Sequence, residues 1–142
     1  MALTKSPGSD LYPYKLTQSL LTGSEAAFYA ALLLAAGMRY VVFAKVRFAD
    51  LCQDLDRWTD VAAFNQVSSK HVDFVLCDAT TFRPVLAIEL DDRSHLRADR
   101  RGRDALKDRI FRTMGLRVYR QWVHRSYDPS AIARGIAEAL AT

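Results

Sequence analysis

The order of apolar and polar residues predicts three long helices and four strands in this chain. In chain order they are a helix, three strands, a helix, a strand and a helix, over residues 22–37, 40–48, 71–77, 84–90, 96–114, 116–122 and from 129 onward. Residues 49–55 are interpreted as a short helix. Residues 56–69 are polar and without a clear period, which predicts an irregular loop.

Capping residues mark the ends of the long helices. Thr22 or Ser24 precedes an apolar stripe at helical spacing, and Gly37 follows it. In the second long helix Leu106, Ile110 and Met114 lie four residues apart, with Gly115 after the last turn, and the third opens at Asp128 and Pro129. These capping signals are local, so they support the three helices independently of the rest of the fold.

The connections between the predicted strands indicate how they pair. A link of hairpin length joins residues 71–77 to 84–90, which predicts an antiparallel pair. The long helix between the third and fourth strands is a crossover, which predicts a parallel pair. The expected fold is therefore α/β, with a mixed sheet flanked by helices. Residues 1–20 are expected to form an irregular lead-in and residues 21–142 a single domain.

Composition narrows the class of protein without naming an activity. No run approaches the roughly 20 apolar residues that a membrane-spanning helix needs, and the N-terminus lacks the apolar core of a signal peptide. Cys52 and Cys77 have no metal-binding spacing and are interpreted as buried thiols. A cytoplasmic protein without a membrane partner is the expectation.

Positive charge is concentrated in one part of the chain. The chain has a net charge of +4, but residues 93–125 alone contain eleven Lys or Arg against three acidic residues. Arginine-rich segments bind phosphate groups well, because the planar guanidinium matches the geometry of phosphate oxygens. A solvated helix face is the alternative interpretation. The pattern favours a polyanionic partner.

Three acidic residues stand out because they interrupt apolar strands. Glu89 and Asp91 lie two positions apart and should project from the same face of their strand, while Asp73 lies on the neighbouring strand. Carboxylates this close repel one another unless a cation lies between them. Oxygen ligands favour Mg²⁺ or Mn²⁺. The sequence thus predicts a divalent metal site at Asp73, Glu89 and Asp91, with His95 nearby or acting as a helix cap.

These residues resemble a known group of enzymes. Lys70-His71-Val72-Asp73-Phe74, followed by Ala87-Ile88-Glu89-Leu90-Asp91-Asp92-Arg93-Ser94-His95, is similar to the core of the PD-(D/E)XK nuclease superfamily. The nearest likeness is to a bacterial domain-of-unknown-function family that is similar to very-short-patch repair endonucleases. It covers roughly Leu20 to Arg120. The resemblance implies a restriction-endonuclease-like core in which Asp73 is the first acid and Glu89 the second.

The chain departs from that superfamily at one position. The motif lysine, which orients the attacking water, is replaced here by Asp91. Three interpretations stay open: a base that has moved elsewhere, a histidine-assisted site, or lost activity. Lys70, Arg103 and His95 are candidates for the missing group. The superfamily also has a supporting glutamate on its first helix, a position that Glu25 occupies unless it only caps that helix.

The expected function is a Mg²⁺-dependent nuclease that cuts DNA in repair, restriction or defence, with RNA not excluded. Catalytic roles fall to Asp73, Glu89, Asp91, His95 and Glu25, and nucleic-acid contacts to Lys70, Arg93, Arg97, Arg100 and Arg103. Two alternatives stay open: a catalytically inactive nucleic-acid-binding module, and an interaction domain of a larger assembly. A homodimer is compatible with each of them.

Overall fold

A four-stranded sheet with helices on both faces forms the centre of the molecule. The computed structural model describes residues 12–92 and 98–142, apart from the side chains of residues 98–101 and 103. In that part the elements are α1 (Gly23–Ala36), β1 (Tyr40–Arg47), α2 (Phe48–Leu51), α3 (Val61–Val67), β2 (His71–Asp78), β3 (Pro84–Asp91), α4 (Ala98–Met114), β4 (Arg117–Trp122) and α5 (Pro129–Ala141).

The strands lie in the order β1-β2-β3-β4. β1 pairs with β2, and β2 with β3, in antiparallel fashion, whereas β3 and β4 are parallel. This arrangement confirms the predicted α/β architecture, with a hairpin and a parallel crossover in one mixed sheet. The crossover matters for the site, because it brings α4 back across the ends of β2 and β3.

Each face of the sheet has its own apolar core. α1 and α5 cover one face, where Phe28 and Ile132 pack on Phe74 and Ile88. α2, α3 and α4 cover the other face, and its fully buried members include Phe48, Val75, Ala87 and Phe111. Since alternate residues of a strand point to opposite faces, Asp73 and Glu89 belong with Val75 and Ala87 on the α4 face.

The capping signals of the sequence are present in the structure. The Thr22 side chain accepts a hydrogen bond from the backbone of Glu25, and the Glu25 side chain accepts one from the backbone of Thr22, which completes a capping box. Asp128 caps α5 through the Ser130 amide. Gly115 follows α4 with φ of 78°, a conformation that suits glycine. Local chemistry therefore defines where these helices begin and end.

The prediction of an irregular loop over residues 56–69 was wrong. Residues Val61–Val67 form α3, and Val67 packs against Phe48 and Phe111 in the core on the α4 face. Seven residues span only two turns, which is too short for an apolar period to separate a helix from a loop. The burial of Val67 in the core stabilises this short helix, and the sequence pattern does not reveal that contact.

The apolar side of α4 includes Phe111 besides the predicted stripe of Leu106, Ile110 and Met114, of which Ile110 and Met114 pack against the same core. Phe111 is 1% exposed and packs with its ring centroid 4.8 Å from that of Phe48, so its side of the helix faces the sheet. Leu106, Ile110 and Met114 lie on the flank towards α3, where they line a cavity of about 230 Å³. Lys107 lies one turn before Phe111 and therefore projects towards the sheet. None of the helices in residues 12–92 and 98–142 combines the length and apolarity needed to cross a bilayer.

Gly135 allows α5 to approach β4 closely, which leads to a stability prediction. A Cβ atom at Gly135 would lie 2.5 Å from Cε2 of Tyr119, whose hydroxyl donates a hydrogen bond to Gln121 at 2.5 Å. Overpacking costs about 1–3 kcal/mol, while alanine gains about 1 kcal/mol of helix propensity. We expect Gly135→Ala to lower the free energy of unfolding in urea denaturation.

Gly102→Ala is the matched control, because a Cβ atom at that position of α4 meets nothing within 4 Å. It should raise the free energy of unfolding by up to about 1 kcal/mol. If both substitutions raise the free energy of unfolding equally, the Tyr119 ring leaves room for a Cβ atom at residue 135.

Candidate active site

The sheet opens between β2 and β3 at one end. Paired residues in these strands run from Cys77 opposite Pro84 to Phe74 opposite Ile88. Beyond that point the Leu90 amide donates to Oδ2 of Asp73 at 2.8 Å, so a side chain takes the place of a backbone acceptor. β1 stays paired with β2 as far as His71, and β4 with β3 as far as Asp91. The opening therefore lies between the two central strands, beside Asp73 and Glu89.

The carboxyl groups of Asp73 and Glu89 meet beside this opening. A hydrogen bond joins them, and Glu89 is only 4% exposed. Burial raises the pKa of Glu89 to about 8; the charge of Asp73 and their hydrogen bond act in the same direction, and Lys107 acts against them. At neutral pH Glu89 thus holds a proton, so that its buried carboxyl does not carry a negative charge next to the half-buried Asp73.

Lys107 brings a positive charge from α4 to this pair. Its Nζ lies 3.4 Å from Oε1 of Glu89 and donates to the backbone oxygen of His71 at 3.5 Å. The lysine side chain is 25% exposed, so its ammonium group is partly removed from water. Helix α4 thereby places a cation at the buried carboxyl of β3, next to the start of β2.

Asp91 has a different partner from Asp73 and Glu89. Nη1 of Arg120 lies 3.1 Å from Oδ1 of Asp91, and Nη2 of the same guanidinium lies 2.6 Å from Oδ1 of Asp108. Burial would lower the pKa of Arg120, but Asp108, Asp91 and Glu89 raise it above its usual value. Arg120 therefore links β3, β4 and α4 by two ion pairs, directly beside Lys107.

Glu25, at the start of α1, is a second buried acid and pairs with the exposed Lys45. Besides the capping box, its Oε2 lies 2.5 Å from Nζ of Lys45, a residue of β1 with a φ of 54°. Burial would raise the pKa of Glu25, but hydrogen bonds from Lys45 and Thr22 lower it below its usual value. In register, Lys45 lies across from Asp73, between the pairs Ala44–Phe74 and Val46–Val72. Glu25 thus binds a side chain of β1, the strand that pairs with β2.

The donor set at the opening suits a hard cation such as Mg²⁺. Mg²⁺ keeps several water ligands and is commonly held by one or two carboxylates together with substrate phosphates. Asp73 and Glu89 supply two carboxylates in contact, and a cation in place of the Glu89 proton would remove the repulsion between them. In the part of the chain that the structure describes, no three His, Cys, Asp or Glu residues form a metal-binding group. Asp91, held by Arg120, does not join the pair.

Comparison with known proteins places this domain in a family. Residues 17–140 match the family described as "Protein of unknown function (DUF2726)". The chain belongs to the DUF2726 family. No curated protein and no solved structure matches the chain. The match spans the whole sheet and every helix from α1 to the penultimate residue of α5, so the opening between β2 and β3 lies inside the DUF2726 domain.

The structure of this DUF2726 domain brings together only part of the predicted site. Asp73 and Glu89 are in contact, as the strand register predicted, while Asp91 and Glu25 pair with Arg120 and Lys45. The described contacts of Lys70 are backbone hydrogen bonds with Val67 and Phe48. Outside the described residues or side chains are Arg93, His95, Arg97, Arg100 and Arg103.

Two residues of this candidate site were missed in the sequence. Lys107 lies four residues before Phe111, on the side of α4 that faces the sheet, but the sequence does not show how the helix is turned on the sheet. Arg120 lies two residues after Val118 on β4, on the same face of the sheet, and stands opposite Glu89 in the parallel register. That register is not visible in the sequence before β3 and β4 are known to pair.

The buried carboxyl of Glu89 predicts a pH dependence of stability in metal-free buffer. Because the pKa of Glu89 is raised from 4.5 to about 8, the folded state binds a proton that the unfolded state releases. The stabilisation is complete below about pH 4.5 and is lost as the pH rises to about 8. We expect the urea midpoint to fall across this range, and Glu89→Gln to reduce the fall.

Glu138→Gln is the matched control, since Glu138 lies on the exposed side of α5. It should leave the pH dependence unchanged. An identical slope in wild type and Glu89→Gln would mean that Glu89 is ionised throughout, contrary to the geometry of the pair.

Proposed function

We propose that this DUF2726 domain is a divalent-metal-dependent nuclease that hydrolyses DNA phosphodiester bonds. The observation that carries the proposal is the contact between Asp73 and Glu89 where β2 and β3 separate, with Lys107 at 3.4 Å from Glu89. The likeness of these residues to the PD-(D/E)XK motif, and the mixed sheet with its parallel crossover, support the same assignment and a restriction-endonuclease-like core.

Asp73 and Glu89 would hold Mg²⁺ or Mn²⁺ between the separated strands. When bound, the cation supplies Lewis-acid chemistry and a nucleophilic water for attack on the phosphate. The Leu90 amide fixes Oδ2 of Asp73, and the low exposure of Glu89 keeps bulk water from its carboxyl. Both carboxyls are therefore held in place before substrate arrives, which reduces the reorganisation that catalysis requires.

Lys107 takes the role that the motif lysine has in the superfamily. In this chain the motif position is Asp91, whose charge is balanced by Arg120. Lys107 instead brings an ammonium group from α4 to the carboxyl of Glu89. An ammonium group there can stabilise negative charge on a phosphate oxygen during the attack. Of the three interpretations left open by the sequence, a cation that has moved to another element is the one that these contacts favour.

The charge distribution supports a nucleic-acid substrate. Residues 93–125 carry all of the excess positive charge, since the rest of the chain has more acidic than basic residues, and the helix that contains Lys107 belongs to this segment. A basic surface next to an acidic metal site suits a polyanion that must approach two carboxylates, because the basic groups offset their repulsion of phosphate. We expect binding of DNA to weaken steeply as salt is raised.

Cleavage of supercoiled plasmid in Mg²⁺ tests the proposal. We expect wild type to convert it to open-circular or linear product. Asp73→Asn should lower the rate by about a hundredfold or more because it removes a charged ligand, while its remaining oxygen can still accept from Leu90. Lys107→Met should lower kcat by about 10²–10³-fold, the usual loss when one group that stabilises transition-state charge is removed.

Arg112→Met is the control for Lys107→Met, since it removes a positive charge from an exposed position of the same helix. Its cleavage rate should stay within about threefold of wild type. Salt-sensitive DNA binding without cleavage in Mg²⁺ or Mn²⁺ would replace the nuclease proposal with an inactive nucleic-acid-binding module. Cleavage that survives Asp73→Asn would defeat the assignment of the site.

Titration calorimetry with Mg²⁺ alone distinguishes the roles of the acids. Asp73→Asn should weaken Mg²⁺ binding by more than about tenfold. Asp91→Asn, which breaks one ion pair with Arg120, should change the affinity by less than about threefold. Equal losses in the two variants would instead make Asp91 a metal ligand.

A further inference from the structure

An exposed tryptophan lies at the end of the strand next to the carboxyl pair. Trp122 is the last residue of β4 and stands opposite Asp91 in the parallel register of β3 and β4. Strand alternation places it on the same face as Arg120 and Glu89. Adjacent strands are about 5 Å apart, and two residues along β3 add about 7 Å, so Trp122 lies close to Glu89.

The indole is exposed, yet its backbone is well fixed. Trp122 is 55% exposed. The amide of Val123 donates to the backbone oxygen of Asp91 at 2.8 Å, and Nε2 of Gln121 donates to the backbone oxygen of Trp122 at 2.9 Å. Because hydrogen bonds fix the end of the strand, the indole loses little conformational entropy when it stacks on a ligand.

The surroundings of Trp122 favour an anionic partner. From residue 109 to residue 127 the chain contains no acidic residue, and Arg125 and His124 follow Trp122 at exposed positions. Asp91, the acid opposite Trp122, is paired with Arg120. An exposed aromatic ring together with basic side chains is the combination by which proteins bind the bases and the phosphates of single strands.

We propose that Trp122 stacks on an unpaired nucleobase next to the phosphate held at Asp73 and Glu89, so that the substrate is single-stranded or locally unpaired DNA. A base inside a duplex is already stacked on both faces, and an indole can take only a base that has left the stack or lies at its end. The inference rests on the proposed function for its location, although stacking itself requires neither metal nor cleavage.

The second tryptophan of the chain provides a matched control. Trp58 is 74% exposed, but the guanidinium of Arg57 lies 4.4 Å from its ring centroid and covers that face. Asp56 and Asp60 lie beside it in the sequence, which disfavours phosphate. Because the chain has two tryptophans, Trp58→Phe leaves Trp122 as the sole tryptophan, and Trp122→Phe leaves Trp58.

Fluorescence titration with a thymidine oligonucleotide in EDTA tests the proposal in the full chain. Fluorescence of the Trp58→Phe variant should be quenched with saturation, whereas that of Trp122→Phe should change little. By fluorescence anisotropy of a labelled strand, Trp122→Ala should weaken binding by about ten- to a hundredfold. Trp122→Phe should retain most of the affinity, and binding to a blunt duplex of equal length should depend less on residue 122.

The outcomes separate this inference from the nuclease proposal. Saturable quenching of Trp122 without plasmid cleavage in Mg²⁺ supports nucleobase stacking and refutes only the nuclease. Cleavage in Mg²⁺ with unquenched Trp122, and unchanged strand affinity in Trp122→Ala and Trp122→Phe, overturns the stacking role. A change of sedimentation from dimer to monomer in Trp122→Ala, with strand binding intact, also overturns it, since Trp122 would then lie in a protein interface.

Discussion

The contact between the carboxyl groups of Asp73 and Glu89 is the constraint on which the site depends. Two acids in contact on neighbouring strands, one of them buried, cannot both stay ionised unless a proton or a cation lies between them. The structure meets this requirement at Glu89, where burial raises the pKa to about 8, and with the ammonium group of Lys107 at 3.4 Å. The same arrangement is what a bound divalent cation would exploit.

The fold creates this contact by ending one strand pair early. β2 and β3 stop pairing at Phe74 and Ile88, while the outer strands continue alongside their neighbours. The freed amide of Leu90 then binds the carboxylate of Asp73. The opening is thus a structural feature with its own hydrogen bond, and it lies on the face where α4 supplies charged side chains and an apolar anchor at Phe111.

Ion pairs around the opening join different helices and strands. Arg120 connects Asp91 of β3 with Asp108 of α4, and Lys45 connects β1 with Glu25 of α1. Asp91 illustrates the effect of context, because the same carboxylate would suit a metal ligand if Arg120 did not hold it. The sequence pattern singles out the positions, but the partner of each side chain decides what that position does.

Much of the fold follows from the sequence because its signals are local. The capping box at Thr22, the alternation around Asp73 and Glu89, and the crossover length between β3 and β4 predict the elements, the mixed sheet and the meeting of two carboxyls. Helix α3 and the roles of Lys107 and Arg120 required the tertiary structure. Lys107 is 18 residues from Glu89, and Arg120 is 29 residues from Asp91. Contacts of that kind depend on how α4 packs on the sheet and on strand register, and no local pattern specifies either.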